Sequence, residues 1–292
     1  MAQSAHHTDR LFVGLGERRY RIERPWGKVP AAETLGQISH VGVDSRDNVY
    51  AVQRRDAVAE PEPRNPITVF SPDGEFLRAF GQEWVADAHG IFITPDDVIL
   101  VADRDAHQVC AFDNQGDLLF TLGKRHAPLE PFNHPSDVAV APNGDIYVSD
   151  GYGNSRVHRF TADGQPLGAW GRPGRGPGEF ALPHAVWVLD DERVLVADRE
   201  NCRVQVFSPD GEFLQQWRDL YHPADIYTDT GGEIYVTDET PRLTSFNNHG
   251  EMTGRCRPSL NTPHGIYGDS KGNLFIAEIQ PSRIAKLTRV DD

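Results

Sequence analysis

Twelve histidines are spread through the chain, and three of them stand in matching surroundings. Ala88-His89-Gly90, Pro183-His184-Ala185 and Pro263-His264-Gly265 each open an apolar run. Imidazole nitrogens bind divalent transition metals. Three of them with a fourth position open make a reactive site rather than a closed structural one. Three arginines, Arg54, Arg104 and Arg199, and one tyrosine, Tyr152, follow the ends of other apolar runs. Guanidinium groups suit bidentate capture of a carboxylate. A phenol beside a cation loses its proton more readily and serves as a base. Any one of these residues alone reads as a core or surface residue, so the chemistry depends on whether the chain brings them together.

The elements that must do so repeat. Apolar strands end at "VILVAD" (Asp103), "IYVSD" (Asp150), "VLVAD" (Asp198), "IYVTD" (Asp238) and "LFIAE" (Glu278), at intervals of 47, 48, 40 and 40 residues. A degenerate copy, "VYAVQ", ends at Gln53, 50 residues before Asp103. Further strands come next, from "ITVF" to "SRIAKL", and turns such as Pro72-Asp73-Gly74-Glu75-Phe76 lead into a fourth strand. Glycine supplies the positive φ that such tight hairpins need. Four short strands per repeat, six times over, predict an all-β, six-bladed propeller. The last repeat stops after its third strand, near Leu287. An N-terminal strand around Arg19 to Glu23 is expected to complete that blade and close the ring, which removes exposed edges. The reading divides the chain into a disordered N-terminus, 1–10, and a single propeller domain, 11–292. Asp56 to Asn65 reads as a loop inserted in the first blade.

Composition narrows the partners. Forty-three acidic residues against 29 basic ones leave a net charge of -14. That argues against nucleic acid and anionic membrane surfaces, which call for basic patches. No apolar run reaches the length of a membrane span. The polar first ten residues show no signal-peptide core. Three scattered cysteines, Cys110, Cys202 and Cys256, do not suggest a disulfide framework. Cys110 and Cys202 fall in apolar patterns and read as inert core. Together these features predict a cytoplasmic protein with a small-molecule partner. They do not specify an oligomeric state.

Aligning the residues that open the innermost strands gives His40, His89, Ser136, His184, Ala224 and His264. Innermost strands line the central channel, so these residues should ring its mouth. His89, His184 and His264 come from the second, fourth and sixth blades, about 120° apart in a six-fold ring. They should converge on the axis as metal ligands. His40 is left as a further ligand, a supporting donor or a substrate contact. His134 and His222, each one residue before a proline, are weaker candidates. Arg54, Arg104, Arg199 and Tyr152 should overhang this ring. The competing reading for the arginines is that they pair with Asp103 and Asp198 and knit blades together.

The strings "SDGYGNSRVHRF", "LPHAVWV", "VADRENCRVQVF", "GQISHVGVDSRDN", "AHGIFIT" and "TPHGIYG" resemble the peptidyl-α-hydroxyglycine α-amidating lyases, six-bladed propellers of the NHL type. The likeness runs from about Trp26 to Leu287 and is weakest in the fifth blade. It implies zinc on His89, His184 and His264, with other divalent metals compatible with the same ligands. It implies Tyr152 as the catalytic tyrosine and Arg54 and Arg199 as active-site arginines; Arg104 and His40 stay as additional contacts on position within the repeats alone. The implied chemistry is a lyase reaction. A carbinolamide bearing a carboxylate loses its C–N bond and gives an amide and glyoxylate. The chain departs from the family in four places. Where the family's structural calcium takes a carboxylate, just after the last histidine, this chain has Gly265, and only the backbone positions of Val41 and Ile91 match the rest of that site. A calcium site is therefore not expected. The family has glycine where this chain has His40. Gly153 replaces a cysteine of a family disulfide, and a secretory context is missing. Two other functions fit a propeller: a lactonase-like hydrolase and a non-catalytic NHL interaction scaffold. Lactonase-type propellers favour carboxylate ligands for calcium, and a scaffold would not depend on the histidines.

Overall fold

Strands whose side chains all meet apolar neighbours need no alternation, and the second strands of the repeats show this. Ile99–Asp103, Ile146–Asp150, Val194–Asp198, Ile234–Asp238 and Leu274–Glu278 are buried along their whole length. Each is sandwiched between two neighbouring sheets, so both faces are dry. Outer strands alternate instead: Leu118–Leu122 keeps one face in the core and one in water. The computed structural model describes residues 11–30, 33, 35–54 and 65–290. The expected disordered terminus, 1–10, and residues 56–64 of the expected insertion lie outside them.

Six antiparallel sheets form the blades of a propeller. Their innermost strands are Gln37–Val43, Ala88–Ile93, Asp137–Val140, Pro183–Val188, Pro223–Thr228 and Pro263–Gly268, for blades 1 to 6. Each innermost strand contacts those of the two adjacent blades, so the ring is closed. Blade 6 takes its outer strands from the N-terminus. Arg18–Trp26 pairs antiparallel with Arg283–Val290, and Leu11–Leu15 pairs outside it. The expected closing strand is present, and the fifth strand, Leu11–Leu15, is an addition that the repeat pattern did not reveal. Among the described residues no helix is long and apolar enough to cross a membrane.

The acidic residue that ends each second strand ties down the loop before the innermost strand of its own blade. Asp103 accepts the amides of Ala86 and Asp87 at 3.0 and 2.9 Å. Asp150 accepts that of Asn133 at 2.9 Å, and Asp198 that of Ala181 at 2.9 Å. Asp238 accepts Tyr221 at 3.2 Å, and Glu278 accepts Asn261. In blade 1 the glutamine of the degenerate repeat does the same, Gln53 accepting Gly36 at 2.5 Å. All five carboxylates are fully buried. Their repeat thus has a mechanical cause: each fixes the point at which the chain enters the channel wall.

Entry is marked by a β-bulge. Pairing slips between Ile38 and His40, Ala88 and Gly90, Pro183 and Ala185, Pro223 and Asp225, and Pro263 and Ile266. The skipped residues are Ser39, His89, His184, Ala224 and the pair His264-Gly265. Bulges re-aim side chains, and here they mark the ring positions. In blade 3, Ser136 precedes the strand and donates its amide to Ser149 at 2.8 Å. The channel-mouth ring is therefore Ser39, His89, Ser136, His184, Ala224 and His264. This corrects the expected alignment: His40 is one residue further in, because Ser39 takes the bulge in blade 1. Cys202 also departs from expectation. It lies outside the strands, in a left-handed conformation (φ 54°) after the short 3-10 turn Arg199–Asn201, and is only partly buried. Cys110 and Cys256 are buried, which pushes both thiols up to about 12.

Candidate metal centre

His89, His184 and His264 meet on the channel axis, with one ring nitrogen from each inside a group whose members all lie within 4.8 Å of one another. Their Nδ1 atoms turn outward, each towards a backbone carbonyl of the next blade. His89 reaches Ser136 at 2.6 Å, His184 reaches Ala224 at 2.6 Å and His264 reaches Ser39 at 2.7 Å. A carbonyl only accepts, so each Nδ1 carries the proton and each Nε2 lone pair faces inward. The serine and alanine positions of the odd blades are thus part of the site. They present the carbonyls that orient the histidines of the even blades.

Electrostatics keep these lone pairs available. Burial, then the neighbouring His184 and His264, hold His89 well below the ordinary imidazole range. Burial, with Arg199 next, lowers His184 to about 3. Burial and His184 lower His264. Tyr152 places its hydroxyl 2.9 Å from Nε2 of His89 and 3.0 Å from Nε2 of His184. One phenol supplies one proton to inward acceptors from three imidazoles. Neutral imidazoles converging from three sides, with a phenol closing the fourth, fit a divalent transition metal. His89, His184, His264 and Tyr152 are where the sequence reading put them.

The arginines are brought to the same rim. Burial raises the pKa of Tyr152, and Arg199, Arg54 and Arg104 oppose that rise. Arg104 lies over the Tyr152 ring, 5.5 Å from its centroid. None of the arginines near the site makes the Asp103 or Asp198 pair of the competing reading. Arg104 binds Asp87 at 2.8 Å and Asp105 at 2.8 Å, rather than Asp103. Arg54 lies 3.6 Å from the same Asp87 carboxylate oxygen. Arg199 pairs with Glu239, whereas Asp198 is taken by Arg203 at 2.8 Å. Asp87 and Glu239 are the residues sequence reasoning missed. Asp87 is two residues before His89, and Glu239 follows a strand-ending acid as Arg104 and Arg199 do, so position alone could have flagged both.

His40 belongs to a second group beneath the first, with Asp137 and Asp225. Its Nε2 is 2.9 Å from Asp225. Burial disfavours charge on this imidazole, but Asp225 outweighs it and the pKa is raised to about 9. Burial raises Asp137 to about 7, against the pull of His40. His134 and His222 stay at the rim. His134 sits against His107, ring centroids 4.3 Å apart, and His222 lies 3.3 Å from Glu239.

Comparison with known proteins bears on the family and the fold. Residues 132–160 and 180–207 match the NHL repeat. The chain is 37% identical over 297 residues to human NHL repeat-containing protein 3, covering 91% of this chain and 83% of that one. It is 30% identical over 299 residues to the rat peptidylglycine alpha-amidating monooxygenase, covering 87% of this chain. It spans only 30% of that longer protein. A Drosophila melanogaster peptidyl-alpha-hydroxyglycine alpha-amidating lyase is 28% identical, with 91% of this chain and 53% of that one covered. Among solved structures, a Xanthomonas campestris gluconolactonase superposes with a TM-score of 0.70 at 15% identity, over 99% of this chain and 94% of that one. A streptogramin B lyase does so with 0.68 at 13%, over 95% and 100%. At such identities these two structures speak to the fold alone. The repeats, the closed ring of blades and the extent of the human match together mean that the chain belongs to the NHL-repeat family of β-propellers, and that within it the chain is similar to the peptidyl-α-hydroxyglycine α-amidating lyases.

Proposed function

We propose that this protein is a metal-dependent lyase acting on a small carboxylate-bearing carbinolamide, an N-acyl-2-hydroxyglycine or a close analogue. The observation that carries this reading is the position of the Tyr152 hydroxyl, 2.9 and 3.0 Å from two inward histidine nitrogens. His89, His184 and His264 would hold the metal, with zinc the choice suggested by the resemblance. When bound, a divalent cation supplies Lewis acidity at the substrate oxygens and favours the phenolate.

The chain's own residues then have defined tasks. Arg54 binds the substrate carboxylate, with Asp87 fixing its side chain from below. Arg199, held by Glu239, faces a second oxygen of the substrate. Tyr152 takes the proton from the substrate hydroxyl. As that O–H bond breaks, its electrons form the new C=O bond and the C–N bond breaks. The C–N pair leaves on the amide nitrogen, which picks up a proton. The products are an amide and glyoxylate, and no oxidant or water is consumed. Arg104, clamped between Asp87 and Asp105, supports the rim. The metal and the substrate class rest on the ligand set and the lyase resemblance.

Incubation of the metal-loaded protein with N-benzoyl-2-hydroxyglycine tests it. Glyoxylate and benzamide should appear in equal amounts, faster than the spontaneous breakdown. Metal-loaded protein that leaves this compound and shorter N-acyl-2-hydroxyglycines at the spontaneous rate would refute the lyase reading.

A further inference from the structure

Two stacked triads occupy the channel, and the propeller's symmetry sets them apart. In the residue after each ring position the blades carry, in order, His40, Gly90, Asp137, Ala185, Asp225 and Gly265. The upper layer has histidine on the even blades and Ser39, Ser136 and Ala224 on the odd ones. The lower layer reverses this, with large ionisable residues on the odd blades and Gly, Ala and Gly on the even ones. Sterics enforce the alternation. A Cβ added to Gly90 would lie 2.3 Å from Asp137 Oδ1, and one at Gly265 would lie 2.5 Å from His40 Cα.

Both triads gather their ligand atoms within 4.8 Å, yet their donor balance differs. The upper one offers inward acceptors from three imidazoles to a single phenol proton. The lower one supplies its own donor: Nε2 of His40 stands 2.9 Å from Oδ2 of Asp225. Its carboxylates are also tied to backbone amides, two of them on neighbouring blades. Asp137 accepts the amide of Val186 at 3.1 Å, and Asp225 accepts those of Ile266 at 2.7 Å and Ile226 at 2.8 Å. His40, Asp137 and Asp225 are 2, 3 and 3% exposed. The cavity they share with Ile91, Trp187 and Tyr267 measures about 10 Å³. That is room for about one water. Calcium takes six to eight oxygen ligands at about 2.3–2.6 Å. Here one of the three ligands is a nitrogen, and position 265 has neither a carboxylate nor the space for one.

We infer that the His40 imidazole stands in for the channel calcium of the resembling lyases: it links blade 1 to Asp225 of blade 5 beside Asp137 of blade 3, and the protein binds no calcium. The lower layer is then a built-in brace beneath the metal centre, independent of which reaction the upper layer performs. This inference does not rest on the lyase reading, because its tests read binding and stability rather than turnover.

Calorimetric titration of the metal-loaded protein with calcium, together with thermal melts in zero and 5 mM calcium, decides it. No binding heat and an unchanged Tm are expected. One equivalent of bound calcium, or a calcium-dependent Tm, would overturn the inference. The variant His40→Gly reopens the space between Asp137 and Asp225. Its Tm should fall by several degrees and be partly restored by calcium, and the restoration should vanish in His40→Gly/Asp225→Asn. A His40→Gly protein that melts like the parent without calcium would show that the imidazole braces nothing. Should that variant fail to fold, His40→Gln keeps an N–H for Asp225 while His40→Leu does not. Gln must then retain the higher Tm, and equal loss in both would also overturn the inference.

Discussion

At the residue scale the site depends on which nitrogen of each histidine carries the proton. Backbone carbonyls of Ser39, Ser136 and Ala224 settle this, so the ligand atoms are set by main chain rather than by further side chains. Tyr152 is the residue on which the proposed chemistry turns. Replacing it with Phe removes the base and leaves the three imidazoles in place. Turnover of N-benzoyl-2-hydroxyglycine should fall by about 10²–10⁴-fold, while metal content by mass spectrometry stays near that of the parent. The metal-free protein should also be acid-sensitive. His184 titrates at about 3 in the fold, against an ordinary 6.5. The folded state holds it neutral while the unfolded chain binds a proton below 6.5, so stability is full above 6.5 and falls as pH drops towards 3. His89 and His264 act in the same direction. His40 has the opposite sign, losing its contribution only as pH rises through about 9, and Asp137, raised to about 7, gains stability as pH falls through the same window, but one carboxyl against three imidazoles does not mask the acid limb. Denaturant midpoints of metal-free protein should therefore decline between pH 7 and 4.5. A flat profile would contradict the neutral, buried imidazoles.

At the element scale, the unit that places each side chain is a loop and bulge held by a buried carboxylate. Asp198 shows the arrangement most fully. It binds the Ala181 amide ahead of His184, the Asn201 side chain at 2.8 Å behind Arg199, and the Arg203 guanidinium at 2.8 Å. Arg203 is itself 2% exposed. Asp198→Ala leaves that cation buried without its carboxylate, a loss of about 3–5 kcal/mol. Chemical denaturation should show it, and metal affinity should weaken too, because the same carboxylate steadies the loops bearing His184 and Arg199. The acid-ended strands were legible in the sequence as a repeat. Their purpose was not, because a strand-ending aspartate looks the same whether it faces solvent, an arginine or a loop amide. The same ambiguity explains the arginines. Adjacency suggested Asp103 and Asp198 as partners of Arg104 and Arg199, but those carboxylates turn onto the loop amides of their own blades, and the partners came from other segments, Asp87 and Glu239.

At the scale of the whole molecule, closure by the two N-terminal strands holds the ring shut. Arg18–Trp26 covers the edge of Arg283–Val290, which would otherwise lie open beside blade 1. Removing residues 1–26 should yield protein without a single cooperative melt and prone to association, as read by calorimetry and light scattering. A monomer that melts like the parent would show that closure is dispensable. Symmetry also accounts for the site. Six similar blades make two channel layers in which bulky residues alternate with small ones, and each layer gathers three side chains on the axis.

The sequence by itself determined the blade count, the closing strand and the convergence of three histidines and a tyrosine at the channel mouth. Each is encoded by position within a repeat, and position in a repeat becomes position in space once the blades close. Only the tertiary structure decided the consequences of a one-residue bulge and of contacts between blades. Blade 1 spends its bulge on Ser39, which drops His40 from the upper ring to the lower. Asp137 and Asp225, invisible as a pair across 88 residues of sequence, meet His40 there because alternate blades converge on one axis. Local pattern specifies strands, but a side chain's partner across the channel is chosen by packing, and no local pattern records it.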